Sequence, residues 1–199
     1  VEGDSEPAYY GVYEMIEAID EQYVKKRKEL YGDHKHHLWK CGWGATLNYN
    51  DRNSSSFHWD DDMGNDYTYE YKGDSENFDV AKTQLLEFMK NVTERQGQDF
   101  HDWIGSVCDV RLLLRTYAVN VTVGMWDDYW NHSKNFYLYF NKGGTEGYKF
   151  FLIPYDYDNT LGTTNIEGVQ DDAARHDPLN WGKSKENPLV AKILQFDDY

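Results

Sequence analysis

Two aromatic runs joined by a glycine-bearing turn constrain this chain more than any other feature. Residues 135–140 read NFYLYF, residues 148–155 read YKFFLIPY, and NKGGTEG lies between them. Aromatic and β-branched runs separated by a short Gly-containing stretch form antiparallel strands joined by a turn. The spacing therefore predicts a β-hairpin over 135–155. An acidic loop, Asp127-Asp128, leads into the first strand, and Asp156-Tyr157-Asp158 follows the second. Antiparallel strands of similar length bring these loops to the same end of the hairpin. Asp127, Asn135, Asp156 and Asp158 are expected to lie close together there.

Such a cluster has two readings. Asp and Asn favour turns because their side chains bond to local backbone, so these residues could be turn formers only. Alternatively, their oxygens hold a hard divalent cation, which prefers carboxylate and amide ligands. The order of the parts favours the cation. Protein kinases place a catalytic Asp and a metal-binding Asn in one loop and a further metal-binding Asp before a Gly. Here Asp127 and Asn135 are followed by the strand pair and then by Asp156-x-Asp158 and Gly162. The order is the same and the spacing differs.

Trp126-Asp127…Asn135-Phe-Tyr-Leu-Tyr139 and Ile153-Pro-Tyr-Asp156-Tyr-Asp158-Asn-Thr-Leu-Gly162 resemble the signature of the CotH family of atypical, secreted protein kinases. Weaker matches stand in the same order: Tyr10-Gly-Val-Tyr13 with Glu17-Ala-Ile-Asp20, then Leu38-Trp-Lys40, Tyr69-Glu-Tyr-Lys72, and Asn187-Pro-Leu-Val with Ile193-Leu194. The resemblance covers nearly the whole chain. It implies an α+β, atypical protein-kinase-like bilobal fold. A partial, strand-rich N-lobe would span 1–75, and a helix-rich C-lobe, itself open to truncation, would span 76–199 and carry the active-site hairpin.

The resemblance also implies a reaction: transfer of the ATP γ-phosphoryl group, with Mg²⁺ or Mn²⁺, to a Ser or Thr of a secreted or cell-surface protein. Asp127 would position the hydroxyl, with Asp128 as the fallback. Asp156, Asn135 and Asp158 would hold the metal. Lys40 or Lys72 would meet the phosphates, with Glu17 as the acid that holds the lysine. Some family members serve as adhesins, so a non-catalytic surface adhesin or assembly module is the alternative. The chain contains no G-x-G-x-x-G. That departs from ordinary kinases and leaves the phosphate contacts to other elements.

Charge narrows the partners independently. A net charge of −15 argues against nucleic acid or an anionic membrane surface. It also means that a bound nucleotide needs a cation to bridge the charges. No apolar run is long enough to span a bilayer. No leader-like segment opens the chain, and a start at Val1 rather than Met suggests a processed product. Cys41 and Cys108 could pair in a secreted protein or remain buried thiols. Of the N-x-S/T sequons, those at Asn53 and Asn91 suit a glycan better than Asn120, on a buried helix, or Asn131, inside the acidic loop. His34, His36 and His37, like Asp60-Asp-Asp62, read as solvated loop residues.

Elsewhere, residues 8–19 alternate as a strand and Asp20 opens a charged helix to about Leu30, ended by Gly32-Asp33. Strands are expected over 38–41 and 67–72, with an acidic loop over 48–66. Asp79 is expected to cap a helix to Lys90. Apolar residues at three- and four-residue steps predict one long core helix from Trp103 to Val121. A Gly- and Asp-rich loop covers 162–186 and a last helix begins at Pro188. Asp156-x-Asp158-x-Thr160 also resembles the first motif of haloacid-dehalogenase-type phosphohydrolases, but too few residues follow Gly162 to complete that sheet. Asp156, Asp158 and Glu167 sit at EF-hand positions one, three and twelve, with Leu161 where a Gly is required.

Overall fold

The computed structural model describes residues 11–12, 15–32, 36–59, 67–143, 146–162, 175–181 and 187–199. In chain order its elements are α1 (Glu21–Lys26), α2 (Lys28–Tyr31), β1 (His37–Cys41), β2 (Phe57–Trp59), β3 (Tyr69–Tyr71), α3 (Phe78–Glu94), α4 (Gly97–Val107), α5 (Val110–Val123), α6 (Tyr129–His132), β4 (Phe136–Lys142), β5 (Tyr148–Pro154) and α7 (Pro188–Ile193). The expected hairpin forms: Phe136 faces Pro154 at one end and Lys142 faces Tyr148 at the other.

The hairpin belongs to a five-stranded sheet of order β2-β3-β1-β4-β5. The β2–β3 pair is parallel and the other pairs are antiparallel. Strands from both halves of the chain thus share one sheet, and β4 lies inside it. Phe136, Leu138 and Phe140 point to a core that contains Phe88 of α3 and Trp103 of α4. The Phe88 ring lies 4.5 Å from Phe150 and 5.3 Å from Phe140, centroid to centroid. Tyr137 and Tyr139 point the other way, into a layer with Ile19, Val24 and Tyr31. Burial on both faces accounts for the unbroken aromatic run in β4, where a strand with one wet face would alternate with polar residues.

Several expectations need correction. The long helix is two helices, α4 and α5. Cys108 is extended and bridges to Phe150, while the Asp109 side chain accepts from Leu112 N at 3.0 Å and caps α5. The apolar periodicity ran through this break because both helices bury a face in the same core. The stretch expected as a loop over 48–66 contains a 3₁₀ turn at Tyr49–Asp51 and strand β2; residues 60–66 lie outside the described residues. Residues 11–12 and 15–19 carry no strand; Tyr10 and Tyr13 lie outside the described residues. Helix α3 begins at Phe78, with Asn77 rather than Asp79 at its cap.

Cys41 and Cys108 are buried free thiols. Asn120 is buried and Asn53 is exposed. The Asn91 amide donates to Glu87 O and accepts from Arg95 Nε, which uses the nitrogen a glycan would need. Burial pushes His37 down to about 4, and its Nδ1 lies 3.0 Å from the Tyr71 hydroxyl. Among the described residues no helix is long and apolar enough to cross a membrane.

The last residues dock on α4 through a histidine. The two nitrogens of His101 lie 3.0 Å from Asp102 Oδ1 and 3.0 Å from Asp198 Oδ2, and its ring stacks on Tyr199. These carboxylates, Asp102 foremost, raise the His101 pKa above its ordinary value. A raised folded value favours the protonated fold. The contribution is full below about pH 6.5, the unfolded value, and is lost as pH rises through the folded one. Thermal melts should show this decline in the native protein and a flatter profile in His101→Gln; identical profiles would refute it.

Candidate active site

Residues with left-handed backbone frame one end of the hairpin. Ser133, Asn135 and Asp156 have φ of 53°, 56° and 62°. Such conformations cost side-chain-bearing residues about 1–3 kcal/mol each and persist where the surroundings over-determine them. The constraints are visible here. Ala45 N donates to Ser133 O at 2.8 Å, and Tyr155 N donates to Asn135 O at 3.1 Å. Ser133 Oγ donates to Asn187 Oδ1 at 2.6 Å, and Asn187 Nδ2 donates to Tyr129 O. The buried Asn187, just before α7, therefore ties both ends of α6, which lies between Asp127 and Asn135.

Held in this way, Asn135 donates its Nδ2 to Asp127 O at 2.9 Å and to Asp127 Oδ2 at 3.1 Å. Lys134 Nζ lies 2.9 Å from Asp127 Oδ1. Asp127 is 5% exposed, so its carboxylate is oriented by two neighbours at the edge of the core. Asp128 points elsewhere. It caps α6 by accepting from Asn131 N at 3.0 Å, and it also accepts from Asn131 Nδ2 at 3.1 Å and Asn120 Nδ2 at 2.7 Å. Burial raises its pKa to about 6. The Tyr157 hydroxyl donates to Asn120 Oδ1, which links the second acidic loop to the first.

Asp156 and Asp158 lie on that second loop, both with a solvent face. Partial burial, then the charges of Asp158 and Asp127, push the Asp156 pKa up, while Lys134 and Lys40 pull it down. The two acidic loops and two lysines therefore share one electrostatic neighbourhood. The Lys40 ammonium lies 5.7 Å from the Tyr67 ring centroid and 5.6 Å from that of Tyr155.

Of the remaining predicted residues, Glu17 lies apart from this group, while Lys72 reaches the acid opposite Lys40. Lys72 pairs with Glu70 Oε1 at 2.9 Å, just past the far end of β3. Glu17 is not brought to either lysine. It meets Lys26 at 3.1 Å and Arg27 at 2.7 Å, and Arg27 leads in holding its carboxyl down to about 2. The basic end of α1 lies within reach of this residue and takes its carboxylate. Glu70 is the buried acid beside Lys40: it is 4% exposed and stands opposite Lys40 in the β1–β3 register. Sequence reasoning passed over it. Its signal was a carboxylate between two tyrosines in a strand.

Among the described residues no group of three or more His, Cys, Asp and Glu is placed to hold a metal ion. Hard oxygen donors are present on the two acidic loops: Asp156 and Asp158 offer exposed carboxylates, and Asn135, whose Nδ2 goes to Asp127, keeps its amide oxygen. Partial burial raises the Asp156 pKa first, and the neighbouring Asp158 and Asp127 charges add to it. This set fits Mg²⁺ or Mn²⁺ with water and phosphate oxygens completing the shell, and does not fit an all-protein cage.

The whole chain, residues 1–199, matches the family model described as CotH kinase protein. The chain belongs to the CotH family. No curated protein and no solved structure matches it. CotH membership carries kinase-type function at the level of the family. Beside Glu70, Lys134 was not singled out from sequence alone, and Asn187 stood out only within the family match. Lys134 could have been found by its position directly before Asn135. The role of Asn187 depends on a contact with Ser133 across 54 positions, which no local signal encodes. The EF-hand alternative fails locally, because β5 precedes Asp156 where a helix is required; Glu167 lies outside the described residues.

Proposed function

We propose that this CotH chain transfers the γ-phosphoryl group of ATP to a Ser or Thr hydroxyl of a secreted or cell-surface protein. The observation that carries this reading is the convergence of Asp127, Asn135, Asp156, Lys134 and Lys40 at one end of the hairpin. Asp127 accepts the hydrogen bond of the acceptor hydroxyl and orients it. Asp156 and Asn135, with Asp158, hold the divalent cation. When bound, that ion neutralises phosphate charge. Lys40 meets a phosphate group, with its ammonium between the Tyr67 and Tyr155 rings, while Glu70 opposite it on β3 pairs with Lys72. Catalysis in this class is positioning and charge neutralisation, which suits a site built from strained, over-determined backbone. In this reading residues 1–75 and 76–199 act as the two lobes of one kinase-like domain.

The test is label transfer from γ-labelled ATP, with Mg²⁺ or Mn²⁺, to the chain itself and to Ser/Thr-containing secreted proteins. Transfer should need the metal and disappear on chelation. Absence of transfer, together with partner binding that persists without ATP, would leave the surface adhesin as the function.

A further inference from the structure

Lys134 stands between the two acidic loops. Its Nζ lies 2.9 Å from Asp127 Oδ1, and the two side chains are only 26% and 7% exposed. Its charge also favours the ionised form of Asp156. An ion pair in open solvent contributes little, because water screens it and ordering a long side chain is costly. Here the surroundings change both conditions. Among the described residues Asp127 Oδ1 takes no well-aligned hydrogen bond, so the ammonium is its partner. Oδ2 is taken by Asn135.

The backbone presents Lys134 in this position. The residues on either side of it, Ser133 and Asn135, are both left-handed. Each is pinned by a backbone hydrogen bond, from Ala45 N and Tyr155 N respectively. On its other side the ammonium lies 5.3 Å from the centroid of the Trp43 ring, a cation–π contact that limits its swing. Trp43 in turn packs against His132. Strain of this kind is retained where a side chain must be aimed.

We infer that Lys134 is a positioning residue of the proposed phosphotransfer, holding the Asp127 carboxylate in the orientation that receives the acceptor hydroxyl. This rests on the reading of the site as a kinase. Lys134 transfers no atom. It acts through Asp127 and needs no contact with ATP, which separates it from Lys40.

The experiment compares the native chain with Lys134→Met and Lys134→Arg. Phosphotransfer is followed with ATP and acceptor varied separately, and Mn²⁺-ATP binding is measured by titration calorimetry. Methionine keeps the apolar stem beside Trp43 and removes the charge; arginine keeps the charge. Misplacing a catalytic group by about 1 Å costs roughly a hundredfold in rate, so Lys134→Met should lower kcat by about that factor. Its KM and Kd for Mn²⁺-ATP should stay within about threefold, since a tenfold change would mean about 1.4 kcal/mol of lost nucleotide contact. Lys134→Arg should recover most of kcat. A rise in KM and Kd with kcat unchanged would make Lys134 a phosphate ligand and overturn the inference. So would an indifferent Lys134→Met, or an arginine variant as slow as the methionine one. A methionine variant that does not fold is replaced by Lys134→Gln and judged by the same criteria. An active native chain with an indifferent Lys134 variant overturns this role alone. A native chain without phosphotransfer overturns the kinase reading and this role together.

Discussion

Replacing Asp127 with Ala is expected to lower the rate of phosphotransfer by about 10²–10⁴-fold, the usual contribution of a positioned acid–base group, and to leave Mn²⁺-ATP binding nearly intact. The expectation follows from where the carboxylate sits. Asp127 is nearly buried and held through Oδ1 by Lys134 and through Oδ2 by Asn135. A residue tied on both oxygens lies ready to orient a hydroxyl and is poorly placed to wrap a cation. Removing it also leaves the Lys134 ammonium without its partner, so Asp127→Asn is the companion variant. That change keeps an acceptor oxygen for Lys134 while lowering basicity, and it should lose nearly as much rate. Circular dichroism and thermal melts confirm that both variants fold. Autophosphorylation at the native rate in folded Asp127→Ala would remove Asp127 from the mechanism and return attention to Asp128, whose bonds to Asn120 and Asn131 now mark it as a cap.

Asp156→Asn should weaken metal-dependent ATP binding at least tenfold, about 1.4 kcal/mol, while slightly raising the stability of the metal-free protein. The opposite signs share one cause. In the metal-free chain partial burial, and then the charges of Asp158 and Asp127, raise the Asp156 pKa. A carboxyl whose folded value exceeds its unfolded value, about 3.9, favours the protonated fold. Its ionisation therefore costs stability as pH rises through the folded value, although the solvent face of Asp156 screens that cost. A cation removes the repulsion, so metal affinity should fall as pH drops through the raised value, where protons compete for the same oxygens. In Asp156→Asn that part of the pH dependence should disappear. Calorimetry with chelator and with Mn²⁺, over pH, measures both effects. Equal ATP affinity with and without metal in the native protein would show the acidic cluster to be structural.

The legible part of this protein was local. Asn141–Gly147 and its aromatic flanks encode a hairpin because turn chemistry and strand alternation act over a few residues. That hairpin alone brings Asp127 and Asn135 towards Asp156 and Asp158, so the site followed from the same feature. The order of these residues was also enough for the CotH resemblance, which the match over residues 1–199 bears out. Helices α3 and α5 were visible because a buried helix face repeats every three or four residues.

What depended on contacts between distant residues was not legible. Sequence order made Glu17 a candidate partner for Lys40, but the β1–β3 register put Glu70 opposite it and left Glu17 with Lys26 and Arg27. The break at Cys108 was hidden, since both helices keep their apolar faces on one core and periodicity cannot register a bend between them. That Asp128 is a helix cap bonded to Asn120, buried one helix away, was equally hidden in the pair Asp127-Asp128. Amino-acid order determines which local elements can form and which residues arrive at their ends. Strand register, capping and burial determine which of those residues meet, because they depend on the free energy of the assembled sheet and core rather than on any single segment.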